Sequence, residues 1–346
     1  MSAGQPSGEA PFFAIAMPAF NAQATIAEAL DSVLAQTFTA WEMVVVDDGS
    51  TDATRQRAEA FAARDERIRV ISQENAGTSA ARAGAIAATR AAYILTLDAD
   101  DVLLSSCLET YAAFIATHPS RDIYSCDAEV FGPDGDLGRY YGAERFPAKP
   151  EFVLADLLER CVIVGPASVI SRAHYERVGG LRPDAYAEDY DLWLRALALG
   201  GRHIMVPEAL VRYRLSPSQK TASVIPMVEG TAEALQHVAD SGLLDRRQTR
   251  VARTSARRSV LHARHLRADA VRGSAIVARE EFEERLCHGD LRDARREFLR
   301  VRPAYQSTAK FAVATPLMVA SPRLYAACLR RVRARRDSSS SAGGDR

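Results

Sequence analysis

Three carboxylates, Asp98, Asp100 and Asp101, crowd into four residues directly after the apolar run Tyr93–Leu97 in YILTLDADD. Like charges repel and their desolvation is costly, so such a cluster at the end of a buried strand calls for a cation. Hard divalent ions prefer carboxylate oxygens, and Mg²⁺ or Mn²⁺ is usually held by one or two of them together with the phosphates of a substrate. An Asp-x-Asp here supplies part of a metal shell and leaves positions open for a diphosphate. An acidic loop that is merely solvated is the plain alternative. The apolar strand leading into the cluster argues against it, because it points the acids at the edge of a sheet where ligands bind.

Two further groups share this character. VVVDDGSTD, residues 44–52, is a strand-like run opening into Asp47, Asp48 and a Gly-Ser turn. Ser50, Thr51 or Asp52 can cap the following helix, which accounts for the end of the stretch and leaves Asp48 unexplained. In AEDYDLWLRAL, residues 187–197, helical spacing puts Glu188 and Asp191 on one face and sets Asp189 beside Trp193, four positions on. A carboxylate against an aromatic wall at a helix start is a candidate general base, because partial desolvation raises its proton affinity. An acidic first turn favoured by the helix dipole, with Trp193 and Leu194 in the core, is the competing account.

The elements that must position these acids are legible. FFAIAM (12–17), EMVVV (42–46), RIRVIS (67–72) and AYILTL (92–97) have strand length and composition. They alternate with helical stretches at 22–36, 52–64 and 78–90. Apolar strands alternating with helices predict an α/β fold with a mostly parallel sheet covered on both faces. Ligands sit beyond the carboxyl ends of such strands. Further on, 131–142 predicts an irregular hairpin or loop, 151–161 a helix, 167–171 a strand and 187–201 a helix. Past residue 224, Gly and Pro thin out and Arg-rich helical text takes over.

The chain has 346 residues, 47% of them hydrophobic and 25% charged, the composition of a globular protein with one large domain or two. Lys and Arg number 20 against 30 acids up to residue 224, and 24 against 14 beyond it. This asymmetry predicts separate roles for the two parts. No arginine cluster interleaves with aromatics, so nucleic acid is not an expected partner. Gly132, Gly135 and Gly138 do not form the G-x-G-x-x-G turn of a dinucleotide-dependent oxidoreductase. The five cysteines are odd in number and far apart, which predicts reduced thiols and a cytoplasmic setting. No apolar run is long enough to span a membrane.

Read in order, MPAFNAQATIAEALDSVLAQTFTAWEMVVVDDGSTD, ENAGTSAARAGAIAA, YILTLDADD and VGGLRPDAYAEDYDLWLRAL resemble the successive motifs of family 2 glycosyltransferases with the GT-A fold. The likeness runs from about Ile15 to Arg214. It implies a Rossmann-like GT-A domain over 12–224 and an inverting enzyme that moves a sugar from a nucleotide-sugar donor, UDP-linked, to a hydroxyl of a glycan or lipid-linked acceptor in cell-surface polysaccharide, glycolipid or glycoprotein assembly. Position by position, the resemblance puts Pro18, Phe20, Asp48, Arg82 and Asp98 at the donor, with Phe20 stacking on the base, Asp48 accepting from it and Asp98 near the ribose. It makes Asp100 the ligand of a divalent Mn²⁺ or Mg²⁺, Asp189 the catalytic base, and Glu188 and Trp193 part of the acceptor site.

Two positions depart from the pattern. Ala83 follows Arg82 where the family writes asparagine, and Ser216 ends Tyr213-Arg214-Leu215-Ser216 where it writes histidine. They motivate an alternative, a non-catalytic nucleotide-sugar binder or scaffold in a glycan-assembly complex. Residues 1–11 are expected to be disordered, 225–335 to form a helical extension and 336–346 a disordered tail. The basic stretch after 311 suits a helix on the anionic inner face of a membrane, and equally a helical cap on the acidic core or an oligomer contact.

Overall fold

The computed structural model describes residues 10–133, 135–140, 150–163, 165–216, 220 and 223–287, with side chains as far as Arg267. The stretches 1–9 and 288–346, including the basic segment after 311 and the expected C-terminal tail, lie outside the described residues. The chain divides into two compact units, residues 1–261 and 262–346, and everything below concerns the first.

Its frame is the predicted alternation: β1 (Phe13–Ala19), α1 (Ile26–Leu34), β2 (Trp41–Asp47), α2 (Thr54–Ala62), β3 (Ile68–Ser72), α3 (Thr78–Ala87) and β4 (Tyr93–Thr96). These four strands are parallel, in the order β3-β2-β1-β4. All seven residues of β1 are buried, as expected of a central strand covered on both faces. β3 at the edge buries only Ile68 fully. The chain builds outward from β1 to β3 and then returns to place β4 on the other side of β1. That reversal opens a crevice at the carboxyl ends of β1 and β4.

The second half of the sheet is mixed. After β5 (Val102–Leu103) and α4 (Cys107–Thr117) come β6 (Ile123–Gly132), β7 (Gly135–Arg139), α5 (Leu154–Glu159), β8 (Val169–Ser171), α6 (Arg172–Arg177), α7 (Glu188–Ala198) and β9 (His203–Arg214). The sheet continues from β4 through β8, β6 and β9 to β5, with β7 paired to β6. β8 runs antiparallel to both β4 and β6, while β6 and β9 are parallel. The expected irregular hairpin is the β6–β7 pair, whose register shifts after Val130.

A buried polar knot fixes α7. Asp191 accepts from Arg195 Nε at 2.8 Å, and Arg195 in turn donates to the carbonyls of Val178 and Gly180, each at 2.8 Å. α8 (Val224–Asp240) packs on α7 and brings His237 Nδ1 to 2.7 Å from Asp191 Oδ1. The compact unit therefore carries on through α8 into α9 (Arg246–Cys287), whereas the expected boundary of the catalytic domain falls where α8 begins. Among the described residues, no helix is long and apolar enough to cross a membrane.

Candidate active site

A cleft of about 790 Å³ opens over the carboxyl ends of β1, β2 and β4. It brings together Pro18, Phe20, Asp48, Arg82, Asp98, Asp100, Glu188 and Asp189, so eight of the nine expected site residues line one space.

The first wall comes from the β1 and β2 turns. Asn21 sits at φ 48, a left-handed conformation that asparagine tolerates, and its Oδ1 accepts from Thr51 N at 2.9 Å. Its own N donates to Ser50 Oγ at 3.0 Å, while Ala22 N donates to Thr54 Oγ1 at 2.7 Å. Ser50 and Thr51 therefore staple one loop to the other and do not cap a helix; α2 begins after Ala53 with no side-chain cap, and Asp52 closes a local turn onto Thr54 N at 2.9 Å. The staple leaves Phe20 half exposed at the cleft, a platform able to stack on a flat ring.

Asp48 is almost wholly buried, and both of its oxygens are engaged. Oδ1 accepts from Gln73 Nε2 at 2.7 Å and Ala76 N at 2.9 Å, and Oδ2 from Gly77 N at 2.9 Å. It thus organises the turn leading into α3. Gly49, at φ 75, lets the chain pass Asn75: a Cβ there would sit 3.0 Å from Asn75 N.

Asp98, Asp100 and Asp101 converge, each offering a carboxylate oxygen within 4.8 Å of the others. Asp101 is fully buried; its Oδ1 accepts from Arg214 N at 2.9 Å and its Oδ2 has no hydrogen-bond partner. Burial, then the charges of Asp98 and Asp100, push the Asp101 carboxyl well above the usual carboxylate range. An orphaned buried oxygen beside two more carboxylates, with oxygen donors alone, fits a hard divalent cation. Arg214 Nε also donates to the carbonyl of Asp100 at 2.8 Å, so the end of β9 pins this loop.

Arg82 joins the two ends of the cleft. From α3 its guanidinium reaches both Asp98 and Glu188. Burial opposes its charge, but those carboxylates more than compensate and hold it protonated. Glu188 is buried with one oxygen on Arg82 and the other on Lys220 Nζ at 2.7 Å. Burial would raise its proton affinity; the two cations outweigh this and lower it. Glu188 is thus committed to protein cations where an acceptor contact was expected.

Asp189, next along α7, is only partly covered, and its Oδ1 accepts from Tyr190 N at 2.8 Å. Burial and then the neighbouring Glu188 push its carboxyl above the ordinary Asp value, partly offset by Arg82. Space for it depends on Gly165, where a Cβ would lie 2.8 Å from Asp189 Oδ2. A half-desolvated carboxylate with raised proton affinity, opening into the cleft, can take a proton from a hydroxyl.

Trp193 is the exception among the nine. It is 1% exposed and packs in the core with no hydrogen-bond partner for Nε1, so it forms no part of the cleft wall. The helical turn from Asp189 to Trp193 carries the ring inward; the half-buried Tyr186 supplies aromatic surface at the cleft instead, while Tyr190, like Trp193, is buried. His203 and His174 stay out of the cleft. His203 bonds Ser125 and Phe152 N within the core, and burial depresses its pKa to about 3. Lys220, Tyr186 and Gly165 escaped the sequence reading, which met Arg214 only within the stretch Tyr213-Arg214-Leu215-Ser216. Lysine scarcity was the one available signal for Lys220, which is one of three lysines in the chain.

The chain and its fold have relatives among known proteins. The family model described as Glycosyl transferase family 2 matches residues 14–179. The uncharacterized glycosyltransferase EpsJ of Bacillus subtilis is 33% identical over 235 residues, 65% of this chain and 67% of that protein. UDP-Glc:alpha-D-GlcNAc-diphosphoundecaprenol beta-1,3-glucosyltransferase WfgD of Escherichia coli is 31% identical over 184 residues, 53% of this chain and 68% of that protein. Among solved structures, S. aureus TarS 1-349 in complex with UDP-GlcNAc superposes with a TM-score of 0.58 at 22% identity, covering 70% of this chain and 71% of that one. Mannosyltransferase PcManGT from Pyrobaculum calidifontis, in complex with GDP-Man and Mn2+, gives 0.54 at 18% identity, covering 76% and 77%.

Proposed function

The chain belongs to glycosyltransferase family 2, and on that footing we propose that it moves a sugar, with inversion at the anomeric carbon, from a UDP-linked donor to a hydroxyl of a lipid-linked or cell-surface glycan. It is a glycosyltransferase with the GT-A fold. The observation that carries the finer reading is the meeting of Asp48, Asp98, Asp100 and Asp189 in one cleft. The donor and acceptor classes rest on likeness: WfgD is named for UDP-Glc and a diphosphoundecaprenol-linked acceptor, and TarS was solved with UDP-GlcNAc.

In this reading Phe20 stacks on the base and Asp48 accepts from it with its remaining lone pair. Asp98, held by Arg82, faces the ribose. Asp100 and Asp101 would hold a Mn²⁺ or Mg²⁺ ion, which when bound would offset negative charge on the departing diphosphate. Asp189 accepts the proton of the acceptor hydroxyl as that oxygen attacks the anomeric carbon opposite the leaving group. One displacement inverts the configuration. The part-exposed ring of Tyr186 orients the acceptor, as aromatic side chains lining a pocket do. The catalytic domain is proposed to comprise the first compact unit, and the C-terminal residues to bring it to the inner membrane surface where a lipid-linked acceptor resides.

A nucleotide-release screen across UDP- and GDP-sugars, with Mn²⁺ and Mg²⁺ compared, tests this. Release of UDP that depends on an acceptor and a divalent ion is the expected result. Acceptor-dependent release from GDP-sugars alone would overturn the donor assignment, and a product that retains the donor's configuration would overturn the single displacement.

A further inference from the structure

The described cleft residues include three cations, and two of them are committed to the protein. Arg82 is shared between Asp98 and Glu188. Arg214 holds Asp100 through its carbonyl and Glu28 through its side chain. Lys220 differs. Its Nζ donates one hydrogen bond, 2.7 Å to Glu188 Oε2, and lies 4.8 Å from the centre of the Tyr186 ring. An ammonium has three donors, so two remain for a ligand, and the side chain is 30% exposed within the cleft. Glu188 would not be stranded by its departure, because its other oxygen stays on Arg82.

Composition does not explain a lysine here. Arginine supplies nearly all of the 44 basic residues, and the two other lysines, Lys149 and Lys310, lie outside the described residues. A compact charge on a flexible stem suits a phosphate that arrives and leaves, whereas the planar arginine fork suits fixed carboxylates. Ser216, a neutral side chain, lines the same cleft four positions earlier. Among the described residues of the cleft, Lys220 is thus the part-exposed lysine whose one hydrogen bond to the protein can be given up while its partner keeps another cation.

We propose that Lys220 is a donor-binding residue: Glu188 holds its ammonium in the ligand-free cleft, and on donor binding the ammonium passes to the diphosphate of the nucleotide sugar. The inference rests on the nucleotide-sugar reading of the cleft. Calorimetric titration of UDP and of UMP, at one fixed Mn²⁺ concentration, into the unmodified protein, Lys220→Met and Lys220→Arg tests it. Lys220→Met keeps the stem over Tyr186 and removes only the charge. It should weaken UDP binding by about tenfold or more, the usual consequence of losing a charge-assisted hydrogen bond to phosphate, and leave UMP unchanged. Lys220→Arg should recover most of the loss. Equal weakening of both nucleotides, or of neither, overturns the proposal and makes Lys220 a structural partner of Glu188, with the donor reading intact. If the unmodified protein binds neither UDP nor UMP, the UDP-linked donor reading fails and the role of Lys220 falls with it.

Discussion

The two ends of the cleft treat their carboxylates in opposite ways. At the proposed donor end Asp48 accepts three hydrogen bonds of 2.7 to 2.9 Å, from Gln73 Nε2 and two backbone amides. At the proposed acceptor end Asp189 accepts one, from the amide of the next residue, and otherwise faces burial and the charge of Glu188. The first carboxylate is tied into the loop it organises, so it can recognise a ligand but has little freedom to react. The second is left short of donors, which raises its affinity for a proton. Arg82 lets the two environments coexist about one cation by neutralising Asp98 on one side and Glu188 on the other.

The largest expected effect tests the reactive end. Asp189→Asn should slow transfer by about 10²- to 10⁴-fold, the usual worth of a general base, while calorimetric affinity for UDP stays unchanged. Transfer at the normal rate would erase the contrast. Because the base must be ionised to act and its proton affinity is raised, kcat should climb with pH along a limb above the ordinary Asp range and fall as pH drops through it. That limb should vanish in the residual activity of the variant. Next comes the shared cation: Arg82→Met leaves buried Glu188 with Lys220 alone and strips Asp98 of its partner. We expect a loss of about 3 kcal/mol in urea unfolding, at the low end for a broken buried pair because the Asp98 side chain is part-exposed.

Asp48→Asn should cost about 1–3 kcal/mol of stability and weaken nucleotide binding, since an amide cannot accept from Gly77 N, Ala76 N and Gln73 together. Unchanged stability would show that Asp48 does not organise its loop. Gly165→Ala tests the opposite end most gently. Its Cβ would meet Asp189 Oδ2 at 2.8 Å and push the carboxylate aside. kcat should fall about tenfold with donor KM unchanged, less than a displacement of a full ångström would cause.

The sequence reading succeeded where the signal was local. β1 to β4 and the three helices between them follow from runs of apolar residues, and the acids trailing β2 and β4 stand where parallel strands end. It faltered where contacts cross long stretches of chain. Trp193 lies one turn beyond Asp189, but which side of α7 meets solvent is set by α5, α8 and the Asp191 knot. Ser50 and Thr51 look like helix caps in one dimension, yet their partner, Asn21, is about thirty residues away. Lys220 gave no periodic signal at all.

Residue order alone therefore dictated the class of fold and the identity of the acids, because strand and helix formation and strand-end chemistry depend on neighbours within a few positions. Which carboxylate would be bound up and which left short of donors was settled by folding. Arg82, Gly165, Lys220 and Glu188 come from four separate segments, and proton affinity depends on distance and burial in space, which the linear order does not encode.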